Sequence, residues 1–398
     1  METSFDKACA EDFDDVVDLA NYVFSNAHRP CDFKALLPKL FRPEYFMDGI
    51  HYLARENGKI KAIVGAYPLE IEFAEGGKLP GRGIGTVSVH PYCRSKGYMK
   101  VLMKMALEDM RRDGMVFSCL GGQRQRYEYF GYTPVGSVYT FSCNEANISH
   151  TLGRQWKTGL TLEKLDAADD ASIDRIRAMH DAKGIRLHRG KDRLFDILSS
   201  WKAETFVVTE AGRFEGYLVH KGQGTDDSVI SEINLKDFSR LPEVVGLFLR
   251  GLNGGDTKVC ASLHEHEKTA RLSGFAEGYT LGPAYQFAVF DHARFADAFV
   301  KFRAGTGKIR EGAFAFRVED KDLGIDSHVR LFADKTGAGA DGPAVKTGEA
   351  PALKMNSVEA TGFLACLPTA LSHSAIRGNE FLRDILPLPV FCESADGI

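Results

Sequence analysis

The chain has 398 residues, 44% apolar and 26% charged, with a formal net charge of −4. That length predicts two or three domains, and the lack of a global basic field excludes the usual nucleic-acid binder. An acidic N-terminus without an apolar h-region, and no run of about eighteen apolar residues, predict a cytoplasmic protein without a membrane partner.

Residues 5–28 read as strand, turn and helix. Two strands, HYLAREN and KIKAIVGAYPLEIEF, follow across the Asn57-Gly58 hairpin signal. GRGIGTVSVHP is the next strand, and YMKVLMKMALEDMRRDG is a helix ending at Gly114. MVFSCLGG, QRQRYEYFG and SVYTFSC read as strand, short helix and last strand. The first 145 residues are therefore expected to form one mixed α/β unit.

The next stretch repeats this order. LTLEKLDAADDASIDRIRAMHD mirrors the opening strand, acidic turn and helix. A hairpin at Ala211-Gly212, then SVISEINLKD with LPEVVGLFLRGL, and TKVCASLHEHEKTARLSGF complete a second copy. A period of about 140 residues is a domain duplication, not a solenoid. His264-Glu265-His266 falls in a predicted loop-to-helix segment, where it reads as a solvated face. From about residue 294 the pattern changes to a helix, two alternating strands, a Gly/Ala/Asp-rich turn region over 336–350, a short strand and a helix with an Asn356/Glu359 capping box. The tail LPLPVFCESADGI is apolar enough to dock. Eight scattered cysteines form no C-x-x-C pair, so reduced thiols and no metal site are expected.

Chemistry concentrates in VSVHPYCRSKGYMKVLM. Arg94 and Lys96 stand at the mouth of a helix, where positive charge is unfavourable unless an anion sits among them. Gly97 permits close backbone approach, and the free N–H groups at a helix start suit a pyrophosphate. In RYEYFGYTP, Tyr127 lies four residues before Gly131; Tyr129, Phe130 and Tyr132 read as core aromatics.

The pattern V-x-V-x-P-x-x-R-x-x-G-x leading into an amphipathic helix resembles the coenzyme A loop of the Gcn5-related N-acetyltransferases (GNAT). Met99 stands where that motif has a further small residue. The whole chain resembles the Eis-type (enhanced intracellular survival) branch. The resemblance implies tandem GNAT-like mixed-sheet α/β domains over 1–145 and 146–293, and a sterol-carrier-protein-like domain over 294–398. It implies acetyl transfer from acetyl-CoA to a primary amine of a small molecule, aminoglycoside-like or polyamine-like, by a homohexamer. The implied coenzyme contacts are Val87, Ser88, Val89, Arg94, Ser95, Lys96, Gly97, Tyr98, Met99, Lys100, Gly122 and Gln123. Tyr127 takes the place of the family's general acid.

Aligning Gly274 with Gly131 puts Ala270 where Tyr127 stands, and the second copy has only Phe238-Ser239-Arg240 in place of the loop. It reads as a degenerate, structural domain. Amine acetylation also needs a base. His90 and Glu128 are internal candidates, an ordered water is another, and the resemblance adds the terminal carboxylate of Ile398, although Eis-type chains usually end in a bulkier aromatic residue. Two other functions compete: an apolar-ligand carrier acting through the C-terminal domain, and a protein lysine acetyltransferase.

Overall fold

The computed structural model describes residues 2–27, 30–222, 228–252, 255–342 and 351–398. In chain order the strands are β1 (Thr3–Lys7), β2 (His51–Glu56), β3 (Lys59–Phe73), β4 (Lys78–Val89), β5 (Phe117–Leu120), β6 (Thr133–Val135) and β7 (Val138–Cys143). Then come β8 (Leu160–Lys164), β9 (Ile185–Leu187), β10 (Glu204–Glu210), β11 (Arg213–Lys221), β12 (Val229–Leu235), β13 (Thr257–Ser262), β14 (Gly278–Gly282) and β15 (Tyr285–Val289). The last four are β16 (Gly312–Asp320), β17 (Ile325–Asp334), β18 (Gly337–Asp341) and β19 (Leu353–Met355).

Local signals explain most of these elements. Asn57 and Gly58 both have positive φ, 47° and 79°, as a two-residue hairpin turn requires. The helix Tyr98–Arg112 buries Tyr98, Leu102, Met103, Ala106 and Met110 on one stripe. It packs on one face of the first sheet, against Tyr52, Ala54, Val64 and Ile84. The helix Phe13–Ala27 covers the other face, where Leu53, Ile63 and Tyr67 point. The Asn356/Glu359 capping box forms as expected.

The duplication is visible in the sheets. The first runs β1-β2-β3-β4-β5-β15-β6 and the second β14-β7-β13-β12-β11-β10-β8. Each contains a parallel pair at the equivalent place, β4 with β5 and β12 with β13.

The copies also exchange a strand. β7 was expected to end the first unit, yet it lies between β13 and β14, paired from Thr257↔Cys143 to Ser262↔Val138. Reciprocally, β15 inserts between β5 and β6. The sheets therefore cross residue 145 in both directions. The short strand β9 also adds to β3.

Two further expectations change. Residues 337–341 of the presumed turn region form β18, paired with β17, while 343–350 lie outside the described residues. His264 is half-buried rather than freely solvated, hydrogen-bonded with Ser262 Oγ at 2.6 Å and edge-on against Phe302 and Phe391, while His266 is exposed as expected. The third unit is a four-stranded sheet, β18-β17-β16-β19. Its core, with Phe295, Phe299, Phe316 and Phe363, is continuous with that of the first sheet.

Candidate active site

The first sheet opens at β4. Its parallel ladder with β5 runs from Gly81↔Phe117 only to Gly83↔Cys119, although β4 continues to Val89. Beyond that point the strands splay. Thr86 sits at φ 54°, a left-handed value that is an outlier for a β-branched residue. The register with β3 slips here, with Gly65 opposite Gly85 but Ile63 opposite Ser88, so β4 carries a bulge. Buried hydrogen bonds hold it: Thr86 Oγ1 lies 2.7 Å from the Tyr67 hydroxyl, which lies 3.0 Å from His51 Nε2.

Past Val89 the chain turns through Pro91–Cys93 into a loop with Ser95 at φ 68° and Gly97 at φ 80°. No side chain caps the helix that follows. Its first N–H groups and the positive end of its dipole are thus left for a ligand. A cleft of about 970 Å³ lies here, between Val87, Arg94, Gly97, Lys100, Arg126 and Tyr129. A Cβ on Gly97 would meet nothing within 4 Å, so the loop is open at that point. Lys100 Nζ stands 4.6 Å over the ring of Tyr129.

The chain terminus lies on the same strand. A Cβ at Gly83 would fall 2.1 Å from Ile398 Cδ1, and one at Gly85 2.3 Å from Ile398 Cγ2. The bare backbone of these two glycines is therefore the floor on which Ile398 rests. The Ile398 N–H donates to the Tyr285 hydroxyl at 3.2 Å. The Gly397 carbonyl accepts from Lys39 Nζ at 2.7 Å and from Trp201 Nε1 at 2.9 Å. Burial lowers the Lys39 ammonium to about 8. Further back, buried Arg189 holds both oxygens of Asp396, at 2.9 and 2.8 Å, and also Glu393 and Glu232.

Tyr127 and Tyr285, whose hydroxyl holds the Ile398 N–H, stand against neighbouring glycines. A Cβ at Gly121 would lie 3.4 Å from the Tyr285 hydroxyl, and one at Gly122 2.8 Å from the Tyr127 ring. Tyr127 itself is buried, packed edge-on to Tyr132. Burial raises its phenol above the ordinary value, so it keeps its proton at neutral pH.

Comparison with known proteins decides what this architecture is. Residues 4–135 match the family described as Acetyltransferase (GNAT) domain. The N-terminal part of the chain is a GNAT acetyltransferase domain. No curated protein matched the chain. Its fold is shared with the GCN5-related N-acetyltransferase of Kribbella flavida, at 15% identity and TM-score 0.68, covering 100% of this chain and 98% of the other. Eis1 of Mycobacterium abscessus is similar over 100% of both chains at 15% identity and TM-score 0.65. A probable N-acyltransferase of Enterococcus faecalis V583 gives 15% identity and TM-score 0.69 over 98% of both chains. The protein is an acyltransferase with acetyl-CoA as acyl donor.

Within the GNAT domain the sequence-predicted residues divide. Val87, Val89, Arg94, Ser95, Gly97, Tyr98, Met99, Lys100 and Gln123 line the cleft. Ser88 points away, buried, with its Oγ unpartnered among the described residues. The charge of Lys96 is already taken. Its Nζ lies 2.5 Å from Glu56, and that contact holds the carboxyl down to about 2. Arg94 and the helix N-terminus are thus the stronger hydrogen-bond donors toward an anion. Tyr129 was expected in the core but is 62% exposed at the cleft rim.

The internal base candidates are otherwise occupied. His90 Nδ1 accepts the Tyr92 N–H at 3.3 Å, and Glu128 pairs with Arg124 at 3.1 Å. Sequence reasoning missed Lys39, Arg189, Trp201 and Tyr285, which hold the tail. One signal was available: Gly81, Gly83 and Gly85 alternate along β4, baring one face for close approach.

Proposed function

We propose that the chain is an Eis-type N-acetyltransferase that acetylates a primary amine of a small, aminoglycoside-like or polyamine-like molecule. Tyr127 is the general acid and the α-carboxylate of Ile398 the base. The observation that carries this reading is the docking of Ile398 on Gly83 and Gly85, at the point where β4 and β5 part.

The donor set suits the coenzyme. The uncapped helix start, Arg94 and the loop at Ser95 and Gly97 offer N–H groups and positive charge to a pyrophosphate. The splayed edge of β4 offers unpaired backbone to an extended amide chain. Acetyl-CoA supplies a thioester whose carbonyl accepts the amine and whose thiolate leaves.

The protein's own groups then move protons. A carboxylate at the terminus takes the proton that keeps the amine from attacking. The neutral phenol of Tyr127 gives one to the departing sulfur. We further read the third unit as sterol-carrier-protein-like in fold, the second copy as a wall of the substrate channel, and the assembly as a cytoplasmic homohexamer. The close-packed phenylalanines of the third unit favour this structural role over an apolar-ligand carrier.

Acetyl-CoA consumption measured across aminoglycosides, polyamines, arylamines and lysine peptides tests the acceptor. Turnover with the first two classes is expected. Activity confined to lysine peptides would replace this reading with a protein acetyltransferase.

A further inference from the structure

We propose that Trp201, carried by the second copy, is a positioning residue for the terminal carboxylate of Ile398 in the first. The inference rests on the reading of that carboxylate as the base. Trp201 is held at φ 62° and ψ 28°, and Lys202 follows at φ 57°. Two consecutive non-glycine residues in the left-handed region are strained, and such strain persists only where the surroundings impose it.

The surroundings are visible. Ser200 Oγ bonds the Asp196 carbonyl at 2.7 Å, and the Asp196 carboxylate is held by Arg42 and, at 3.0 Å, by the Tyr45 hydroxyl of the first copy. The strained turn thereby lays the half-buried indole against the cluster that contains Phe33, Leu37 and Phe41. Its N–H meets the Gly397 carbonyl at 2.9 Å.

That carbonyl belongs to the last peptide bond. With Trp201 on its oxygen and the Tyr285 hydroxyl on its N–H, the final peptide plane is fixed at both polar atoms. The Ile398 side chain is fixed on Gly83 and Gly85. Rotation about the last Cα–C bond is then the principal freedom left to the carboxylate. Lys39 shares the Gly397 carbonyl but also binds that of Ala395, so it anchors the tail more broadly.

Trp201→Phe keeps an apolar ring and removes the N–H. In protein labelled with 13C at the isoleucine carbonyl, the Ile398 carboxylate resonance should move. Turnover of acetyl-CoA with spermidine or kanamycin should fall roughly 10-fold at pH 7, with the deficit narrowing by pH 9 as free amine accumulates. Coenzyme affinity and melting temperature should stay close to the parent's. Trp201→His, which restores a ring N–H, should recover part of the loss and provides a second folded variant.

An unmoved resonance overturns the positioning role, as does a loss equal at both pH values. A chain extended by one glycine after Ile398 separates the two ideas. Full turnover in that chain removes the carboxylate as base and the proposal with it. An inactive extended chain beside a parent-like Trp201→Phe removes the positioning role alone.

Discussion

Ile398 and Gly83 are complementary to the atom: the terminal side chain fills the volume that a β-carbon on Gly83 would occupy, 2.1 Å from Cδ1. A backbone-to-side-chain approach this close makes the terminus part of the β4 surface. On the proposed role of its carboxylate, Gly83→Ala should displace Ile398 and lower turnover by about 10-fold or more, since small misplacements of a reacting group are costly. The double variant Gly83→Ala/Ile398→Ala keeps an α-carboxylate and removes the clash. Steady-state kinetics should show it recovering most of the loss. A double variant as slow as the single one would mean that Gly83 matters for another reason.

Tyr127→Phe should retain acetyl-CoA affinity and lose roughly 10²-fold in turnover, the scale of a lost general acid. The burial that keeps the phenol neutral is supplied by the ring's neighbours, so phenylalanine should fold in its place. Stopped turnover with undiminished coenzyme binding is the expected pattern. Unchanged turnover at saturating substrate would take Tyr127 out of the chemistry.

Calorimetry should find one coenzyme A bound per chain. In the second copy the equivalent helix, Leu241–Gly251, follows Arg240, whose guanidinium is tied to Glu243 and Glu210 at 2.7 and 3.0 Å. Gly274 has φ −77°, where Gly131 has φ +90°, and Ala270 is exposed. The geometry as well as the residue types of the first site are gone. Two coenzymes per chain would contradict this.

Acid should destabilise the fold well above the carboxylate range. His51 and His292 are fully buried, and burial lowers each to about 4 from an ordinary 6.5. Unfolded chains bind these protons first, so the contribution is whole above pH 6.5 and is lost as pH falls through 4. It amounts to about 3 kcal/mol for each histidine. Urea midpoints should decline between pH 7 and pH 5, and His292→Gln should flatten part of the slope. A constant midpoint over that interval would show that the imidazoles are protonated in the folded protein.

Most of this fold was legible because its signals are local. The Asn57-Gly58 turn, the stripe from Tyr98 to Met110 and the Asn356 capping box each fix an element within a few residues. The coenzyme loop was legible for the same reason, apart from Lys96, whose partner Glu56 lies forty positions away in sequence. What stayed hidden is long-range. Nothing near Val138 announces that β7 will pair with Thr257–Ser262 rather than with β5. Trp201 and Tyr285 carry no motif, and their roles arise only when the tail folds back across some 110 to 200 positions.

The exchange of β7 and β15 bears on how this protein can be handled. A fragment ending at residue 145 would keep Tyr127 and the coenzyme loop. It would lose the strand that fills the gap between β5 and β6, and it would carry β7 with no sheet to join. The two units are thus interlocked through β7 and β15. A protease cut in the linker should not release an active half. The first sheet depends on the second unit because β15 fills the place between β5 and β6.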